Sequence, residues 1–197
     1  MSNINLSILK DIQISQYIEA IAQLRIDIFK EYPYLYDGYM EYETRYLKKF
    51  IDTPDSIIVI LKDNGRIVGA ITGLPLKYED DIIKKPWLDQ NKSMKDVYYF
   101  SEILIYPEYR GRGLGKQLFQ AAEATAKDFK MYDCFTLATI IRTDRHPSKP
   151  ANYQNLENFW IRNGYHKDET LICNIPWKEI NETEESSKPL VFWVKMI

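Results

Sequence analysis

Apolar and polar positions in the first half of the chain switch between the period of a strand and that of a helix. Apolar residues at every second position favour a strand at the start, and apolar residues three or four apart favour helices after it. Pro33 ends the first helix and opens a loop that contains Gly38. The predicted elements are a strand over 4–9, a helix over 14–32, a loop over 33–38 and a helix over 39–51.

A β-hairpin is the clearest local prediction. Two runs rich in β-branched residues, 56–63 and 66–74, flank Asn64-Gly65, which is the two-residue signal of a tight hairpin turn. The polar stretch 75–95, which contains Pro86, then reads as an insertion with one short helix.

The second half of the chain alternates strands and helices. An acidic loop over 182–187 separates the last two strands. Together with the first half, this order predicts a mixed α/β domain. The predicted elements are a strand over 97–106, a helix over 113–130, a strand over 135–141, a helix over 152–162, and strands over 169–177 and 189–196.

Composition narrows the class of protein. The 197 residues contain no linker or repeat, so we expect a single domain over 1–197. No apolar run exceeds five residues, whereas a membrane helix needs about 20, and the N-terminus lacks a signal-peptide pattern. We therefore expect a cytoplasmic protein without a membrane partner. The net charge of −2 argues against nucleic acid as a partner.

Two cysteines and fifteen tyrosines stand out in the composition. Cys134 and Cys173 lack the spacing of a zinc site and have only two histidines to accompany them, which favours two buried thiols and no metal. The tyrosines indicate either an aromatic core or a pocket lined with phenols.

A glycine-rich turn between a strand and a helix carries the strongest chemical signal. Glycines there leave backbone N–H groups exposed at a helix N-terminus, which suits an anion such as a pyrophosphate. A Walker A loop is excluded because Arg110 and Gln117 stand where it needs Gly and Ser or Thr. A Rossmann fingerprint is excluded because Lys116 replaces its last glycine. The glycines are Gly111, Gly113 and Gly115, and the cationic neighbours are Arg110, Arg112 and Lys116.

This turn resembles the pyrophosphate loop of the GNAT superfamily of N-acetyltransferases. Arg110-x-x-Gly113-x-Gly115 follows a strand as it does in that family, and Phe159-Trp160-x-x-x-Gly164-Tyr165 is similar to the family's later aromatic element. The resemblance covers most of the chain. It implies a mixed, mostly antiparallel central sheet flanked by helices, with acetyl-CoA as the cosubstrate.

The resemblance also implies which residues hold coenzyme A. Backbone amides from Arg110 through Gly111, Arg112, Gly113, Leu114 and Gly115 to Lys116 would bind the pyrophosphate. The strand backbone at Ile103, Leu104 and Ile105 would pair with pantetheine, where it splays from the strand over 135–141 and leaves polar groups that need partners. Asn152 and Asn155 are further candidates for cofactor contacts.

Three residues are candidates for proton transfer, one as a base and two as an acid. A primary amine with a pKa of about 10.4 arrives as ammonium, so a base assists its attack. Glu102 lies eight residues before Arg110, on the strand expected to meet the acetyl group. The resemblance implies an acidic residue on this strand, and Glu102 is the candidate base. Trp160 stands at the position where the family usually has a tyrosine as general acid, and an indole cannot serve as an acid. Tyr153, expected on the same face of the predicted helix, is the substitute candidate, with Tyr165 as another. A water or the amine's own proton remains an alternative.

The loop between the first two helices is the candidate acceptor site. Tyr34, Tyr36 and Asp37 could hold a cationic amine through aromatic faces and charge. Arg142, with Arg145 and His146, could instead bind a carboxylate.

The leading hypothesis is therefore acetyl transfer from acetyl-CoA to a primary amine of a small molecule. An acyl-CoA sensor without activity and a protein acetyltransferase acting on lysines or N-termini remain alternatives. The sequence leaves open a homodimer and a longer acyl donor.

Overall fold

The computed structural model describes residues 3–197 and contains one seven-stranded sheet. The sheet order is β1-β2-β3-β4-β5-β7-β6, and all neighbours are antiparallel except β4 and β5. This arrangement confirms the predicted mixed, mostly antiparallel sheet. The strands are β1 (Ile4–Leu9), β2 (Ile57–Asp63), β3 (Arg66–Pro75), β4 (Val97–Ile105), β5 (Cys134–Ile140), β6 (His166–Trp177) and β7 (Ser186–Met196).

Within the described residues, five α-helices pack on the two faces of this sheet. The first predicted helix begins differently from the expectation, since Asp11–Tyr17 is a 3-10 helix that runs into the first α-helix. No helix within residues 3–197 has the length and apolarity needed to cross a bilayer. The α-helices are α1 (Ile18–Phe29), α2 (Met40–Asp52), α3 (Asp81–Asp89), α4 (Leu114–Asp128) and α5 (Glu157–Arg162).

The prediction of a helix over 152–162 was wrong in its first half. The segment before α5 is a loop, in which the Tyr153 N–H donates to the Pro150 carbonyl at 3.0 Å. The Asn155 side chain accepts a hydrogen bond from the Glu157 N–H at 3.3 Å, so it caps the turn from which the helix starts. Asn152, Tyr153 and Asn155 therefore do not share a helical face with Trp160.

The predicted hairpin is confirmed. Strands β2 and β3 pair in antiparallel register, and Asn64 and Gly65 join them with φ of 49° and 87°. Both values are positive, as a type I′ turn requires, because its twist matches that of the strands it joins.

The cores on the two faces differ in which helices build them. Helices α1 and α2 bury Ile21, Leu24, Leu47 and Phe50 against β1–β4, while α4 and α5 pack on the opposite face around Phe119. Helix α3 covers the β5–β7 half through Ile83 and Trp87. A space consequently remains between α1–α2 on one side and α3 on the other.

Both cysteines are free and buried, as predicted. Burial raises the pKa of Cys134 to about 11 and that of Cys173 to about 12. Neither thiol is a reactive thiolate near neutral pH.

Candidate active site

The glycine turn before α4 forms an open cradle. Gly111 and Gly113 have φ of 74° and 76°, a conformation that glycine adopts without steric cost. A Cβ at either position would lie more than 4 Å from every described heavy atom beyond its chain neighbours. The Gln117 N–H donates to the Gly113 carbonyl at 3.1 Å, so the amides just before Gln117 have no acceptor within the helix. This geometry fits an anion held by backbone N–H groups.

Arg110 fixes the turn in place. Its Nε donates to the Ile105 carbonyl at 2.9 Å, and its Nη1 lies 2.8 Å from the Glu31 carboxylate. The side chain thus connects the end of β4 to the segment after α1. Arg112 lies over the Tyr109 ring at 5.4 Å, and Lys116 is exposed beside the cradle.

Strands β4 and β5 separate as predicted. Their parallel pairing ends at Phe100 with Leu137, although β4 continues to Ile105. On the other edge of β4, the Tyr106 N–H donates to the Val68 carbonyl, and antiparallel alternation then points the backbone groups of Ile103 and Ile105 away from β3. These groups face the gap. The Ile105 carbonyl already accepts a hydrogen bond from Arg110, whereas the Ile103 backbone and the Ile105 N–H are available to a peptide-like arm.

Leu104 is placed differently from its neighbours. By the same alternation its backbone faces β3, opposite Ala70, and its side chain is buried in the core under α1 and α2. Of the three strand residues predicted to pair with pantetheine, we therefore keep Ile103 and Ile105 and set Leu104 aside.

A cavity of about 610 Å³ lies between α1–α2 and α3. Its floor includes the β4 residues Tyr99, Ser101 and Glu102, at the place where β4 parts from β5. Its walls come from four regions of the chain: α1 with the loop after it, α2, the segment around α3, and the β6–β7 connection. Seven carboxylates and two cationic side chains line it, namely Asp37, Glu43, Glu79, Asp80, Glu102, Glu184 and Glu185, with Arg25 and Lys178.

Arg25 binds two carboxylates on the floor of this cavity. Its Nη1 pairs with Glu102 and its Nε donates to Glu43, and all three side chains are at least nine-tenths buried. The guanidinium lies 4.2 Å from the Tyr46 ring centroid. Burial lowers the pKa of Arg25, but Glu102, Tyr46 and Glu43 raise it well above its ordinary value overall, so the guanidinium is permanently charged. One cation between two carboxylates leaves the floor with net negative charge.

The three predicted acceptor residues all line the cavity. The Tyr34 ring packs edge-on against Phe29 at 4.8 Å, and the Asp37 carboxylate lies 2.7 Å from the Lys178 ammonium. Burial raises the pKa of both Tyr34 and Tyr36, and the nearby Glu43 raises that of Tyr36 further. Both phenols are therefore neutral donors at physiological pH.

The β6–β7 connection closes one side of the cavity. The Asp37 N–H donates to the Lys178 carbonyl at 2.9 Å, and the Ile180 N–H donates to the Leu35 carbonyl at 2.8 Å. The indole of Trp177 donates to the Tyr34 carbonyl at 3.1 Å. These contacts hold the loop before α2 against the acidic connection, so the cavity is walled on this side.

Arg142 completes this closure. It donates to the Pro33 carbonyl at 2.7 Å and the Tyr34 carbonyl at 3.2 Å, and pairs with Glu179 at 2.6 Å. Its guanidinium is committed to the protein, which argues against the alternative in which it binds a carboxylate of the acceptor.

Replacing Arg142 by methionine should lower the free energy of unfolding by about 2 kcal/mol, because the mostly buried Glu179 loses a charged hydrogen bond. It should also raise the KM for the acceptor while leaving acetyl-CoA affinity nearly unchanged. Thermal unfolding and steady-state kinetics test both statements. Arg145→Met, at an exposed position nearby, is the matched control. An equal effect of the two substitutions would contradict the role of Arg142 in closing the cavity.

Tyr153 lies outside the cavity. Within residues 3–197 it does not line the pocket, and its ring packs edge-on against Tyr32 at 4.7 Å. Burial, followed by Tyr32, raises its pKa. Tyr165 is buried and donates to Glu123 at 2.9 Å, and Trp160 is buried beside Phe119. Neither tyrosine lines the cavity that Glu102 lines, although Tyr153 is close enough to Tyr34 to raise its pKa.

The sequence pattern did not indicate several residues that line the cavity. Arg25 carries a detectable signal, because it falls at helical spacing within the apolar stripe of Ile18, Ile21 and Phe29, where a charge needs a partner. Glu79 and Trp177 carry no such signal, since only the packing of distant segments brings them to the cavity.

Known proteins resemble this chain in both sequence and fold. YhfO of Bacillus subtilis, an uncharacterized N-acetyltransferase, is 25% identical over 139 residues, which cover 68% of this chain and 76% of that protein. A second B. subtilis protein, provisionally named a ribosomal protein bS18-alanine N-acetyltransferase, is 32% identical over 88 residues, or 44% of this chain and 56% of its own length. The solved structure of NAA60 of Arabidopsis thaliana in complex with acetyl-CoA has a TM-score of 0.63 at 14% identity and covers 99% of both chains, which shows a shared fold.

A family model makes the relationship specific. The model described as the Acetyltransferase (GNAT) family matches residues 19–151. That span runs from α1 through the hairpin, the splayed strand and the glycine cradle to the loop after β5. The resemblance that the glycine turn indicated is thereby confirmed, and this chain belongs to the GNAT family of acetyltransferases.

Proposed function

We propose that the protein transfers the acetyl group of acetyl-CoA directly to a primary amine of a small cationic molecule. One observation carries the proposal: Glu102 lines an acidic, walled cavity at the point where β4 parts from β5. The cradle of Gly111 and Gly113 would hold the pyrophosphate. The backbone of Ile103 and the N–H of Ile105 would pair with the pantetheine arm, which leads the thioester to the gap beside Glu102.

Glu102 is positioned to act as the base. Its carboxylate borders the cavity, so it can accept a proton from the acceptor ammonium directly or through one water. The freed amine then forms a bond to the acetyl carbonyl carbon, and the bond from that carbon to sulfur breaks. The second proton of the amine nitrogen goes to the departing thiolate, since Trp160 cannot serve as an acid and Tyr165 is engaged with Glu123. Both cysteines are buried in the core under α3, so direct transfer needs no acetylated thiol.

The walls of the cavity favour a small acceptor over a protein. The loop before α2 and the β6–β7 connection are tied together by backbone hydrogen bonds and by Arg142, which leaves no open groove between them. The excess of carboxylates favours a cation and disfavours an amino acid, whose carboxylate would meet Glu43 and Glu102. One relative's provisional name specifies a protein substrate, so peptides belong in the test.

The test is a thioester-consumption assay with acetyl-CoA and a panel of acceptors. Small aliphatic and aromatic amines should be acetylated, with amino acids of equal length slower by at least about tenfold because of charge repulsion. Turnover only with peptides that present a free N-terminus or lysine would indicate a protein acetyltransferase. Acetyl-CoA binding without turnover of any amine or peptide would indicate a sensor.

A further inference from the structure

The charges around the cavity exceed what one monoamine would neutralise. Arg25 forms ion pairs with both Glu102 and Glu43. Lys49 forms an ion pair with Glu79 at 2.7 Å, and Lys178 forms one with Asp37. Seven lining carboxylates against these three cations leave an excess of four negative charges. Three of the carboxylates are exposed at the mouth, namely Asp80, Glu184 and Glu185. Asp80 lies 4.0 Å from Lys49, which is closer to Glu79 at 2.7 Å.

Glu43 provides a second, independent observation. The residue is fully buried, and its Oε1 makes no hydrogen bond of ordinary geometry within the described chain, although the Tyr36 phenol lies close enough for Glu43 to raise its pKa. A buried carboxylate oxygen without a donor costs free energy, and a native protein usually supplies one. Because Glu43 lines the cavity, a bound ligand with N–H donors could be that partner.

Tyr42 lines the cavity between its floor and its mouth. Its ring lines the cavity 6.0 Å from that of Tyr39. Its pKa is raised first by burial and then by Glu43, with smaller contributions from Asp80 and Glu185, while Arg25 lowers it. Tyr42 therefore lies near both the buried carboxylate of Glu43 and the exposed carboxylates of Asp80 and Glu185. Its ring offers a further surface for a cation.

We infer that the acceptor is a linear diamine or polyamine whose reacting amine lies at Glu102 and whose second ammonium group lies against Glu43 and Tyr42. This inference rests on the proposed function, because it concerns the acceptor of the same acetyl transfer. Apolar side chains of Ile83, Ile175 and Leu190 line the same cavity and give it an apolar surface that suits the methylene groups of such an acceptor. A third cation would extend toward Asp80 and Glu185.

The first experiment compares three acceptors of equal chain length. We expect kcat/KM for 1,4-diaminobutane to exceed that for n-butylamine by about tenfold to a hundredfold, the range for a hydrogen bond to a charged group. The amino alcohol 4-amino-1-butanol keeps a donor but carries no second charge, so it should resemble n-butylamine. A diamine-to-monoamine ratio near one would overturn the inference.

Variants locate the second cation. Glu43→Gln should reduce the diamine-to-monoamine ratio by at least about tenfold. Glu43→Gln also removes a partner of Arg25, so a second variant is needed that leaves Arg25 untouched. This is the double variant Asp80→Asn with Glu185→Gln, whose kcat/KM is measured with the same acceptors and with a triamine. This pair should lower kcat/KM for a triamine more than for n-butylamine. Glu41→Gln is the matched control, since Glu41 is an exposed acid on α2 that does not line the cavity, and it should leave the ratio unchanged.

Failure of the inference and failure of the proposed function give different results. Equal turnover of monoamines and diamines overturns the second-cation site but keeps small-molecule acetylation. Faster acetylation of a basic peptide than of every diamine and triamine overturns the polyamine acceptor in favour of a protein. No turnover of any acceptor overturns the proposed function itself.

Discussion

Replacing Gly113 by glutamate should weaken coenzyme A binding by at least about a hundredfold. Two physical effects act together. Gly113 has φ of 76°, a conformation that side chains with a Cβ rarely adopt, and a carboxylate there would meet the pyrophosphate at the positive end of α4. Isothermal titration with coenzyme A measures the effect directly, without need of an acceptor.

Gly65 supplies a matched control for this substitution. It also has a positive φ, of 87°, and open space around its Cα, but it lies at the tip of the β2–β3 hairpin. Gly65→Glu should therefore reproduce the backbone cost and the added charge while leaving coenzyme A affinity within a few-fold of the parent protein. Gly113→Ala should fall between the two, because it adds the strain without the charge. Unchanged affinity in Gly113→Glu would contradict the assignment of the cradle to the pyrophosphate.

Replacing Glu102 by glutamine should lower kcat at pH 7 by about a hundredfold to ten-thousandfold, the usual contribution of a positioned base. Glutamine keeps the shape and an oxygen toward Arg25, so the fold should persist. The residual rate should then depend on free amine in solution. Since a lysine-like primary amine has a pKa of about 10.4, the rate with such an acceptor should rise nearly tenfold per pH unit between pH 7 and 9. The parent enzyme should show a shallower rise.

Glu43→Gln serves as the control for this effect. It removes an equal charge from the same guanidinium, but Glu43 belongs to α2 rather than to the splayed strand. We expect its main effect on KM for the acceptor. A kcat loss of equal size and equal pH dependence in the two variants would mean that Glu102 acts by neutralising Arg25, not by accepting a proton.

Much of the cofactor half of the site could be predicted because its determinants are local. Positive φ at Gly111 and Gly113, and free amides at the start of α4, follow from a few consecutive residues. The type I′ hairpin is predictable for the same reason. The helix over 152–162 failed because hydrogen bonds of the Tyr153 amide and the Asn155 side chain stabilise a loop there, and apolar spacing carries no information about them.

The cavity proposed for the acceptor was only partly predictable. The sequence pointed to Tyr34, Tyr36 and Asp37, which line this cavity, because an aromatic loop between two helices is visible in the sequence. Their closure by Arg142 and Trp177 was not, since those residues come from distant segments. Tyr153 was misplaced because its position depended on a helix that does not form.

The sequence by itself determined a strand, a glycine turn and a helix that together expose amides to an anion, because backbone conformation at glycine is a local property. Only the tertiary structure decided what the acceptor would meet. Arg25, Glu43 and Glu102 lie on α1, α2 and β4, and their charges interact because the packing of both helices on the sheet buries them together. Electrostatic interaction depends on distance and burial, and the fold, not the order of residues, sets both.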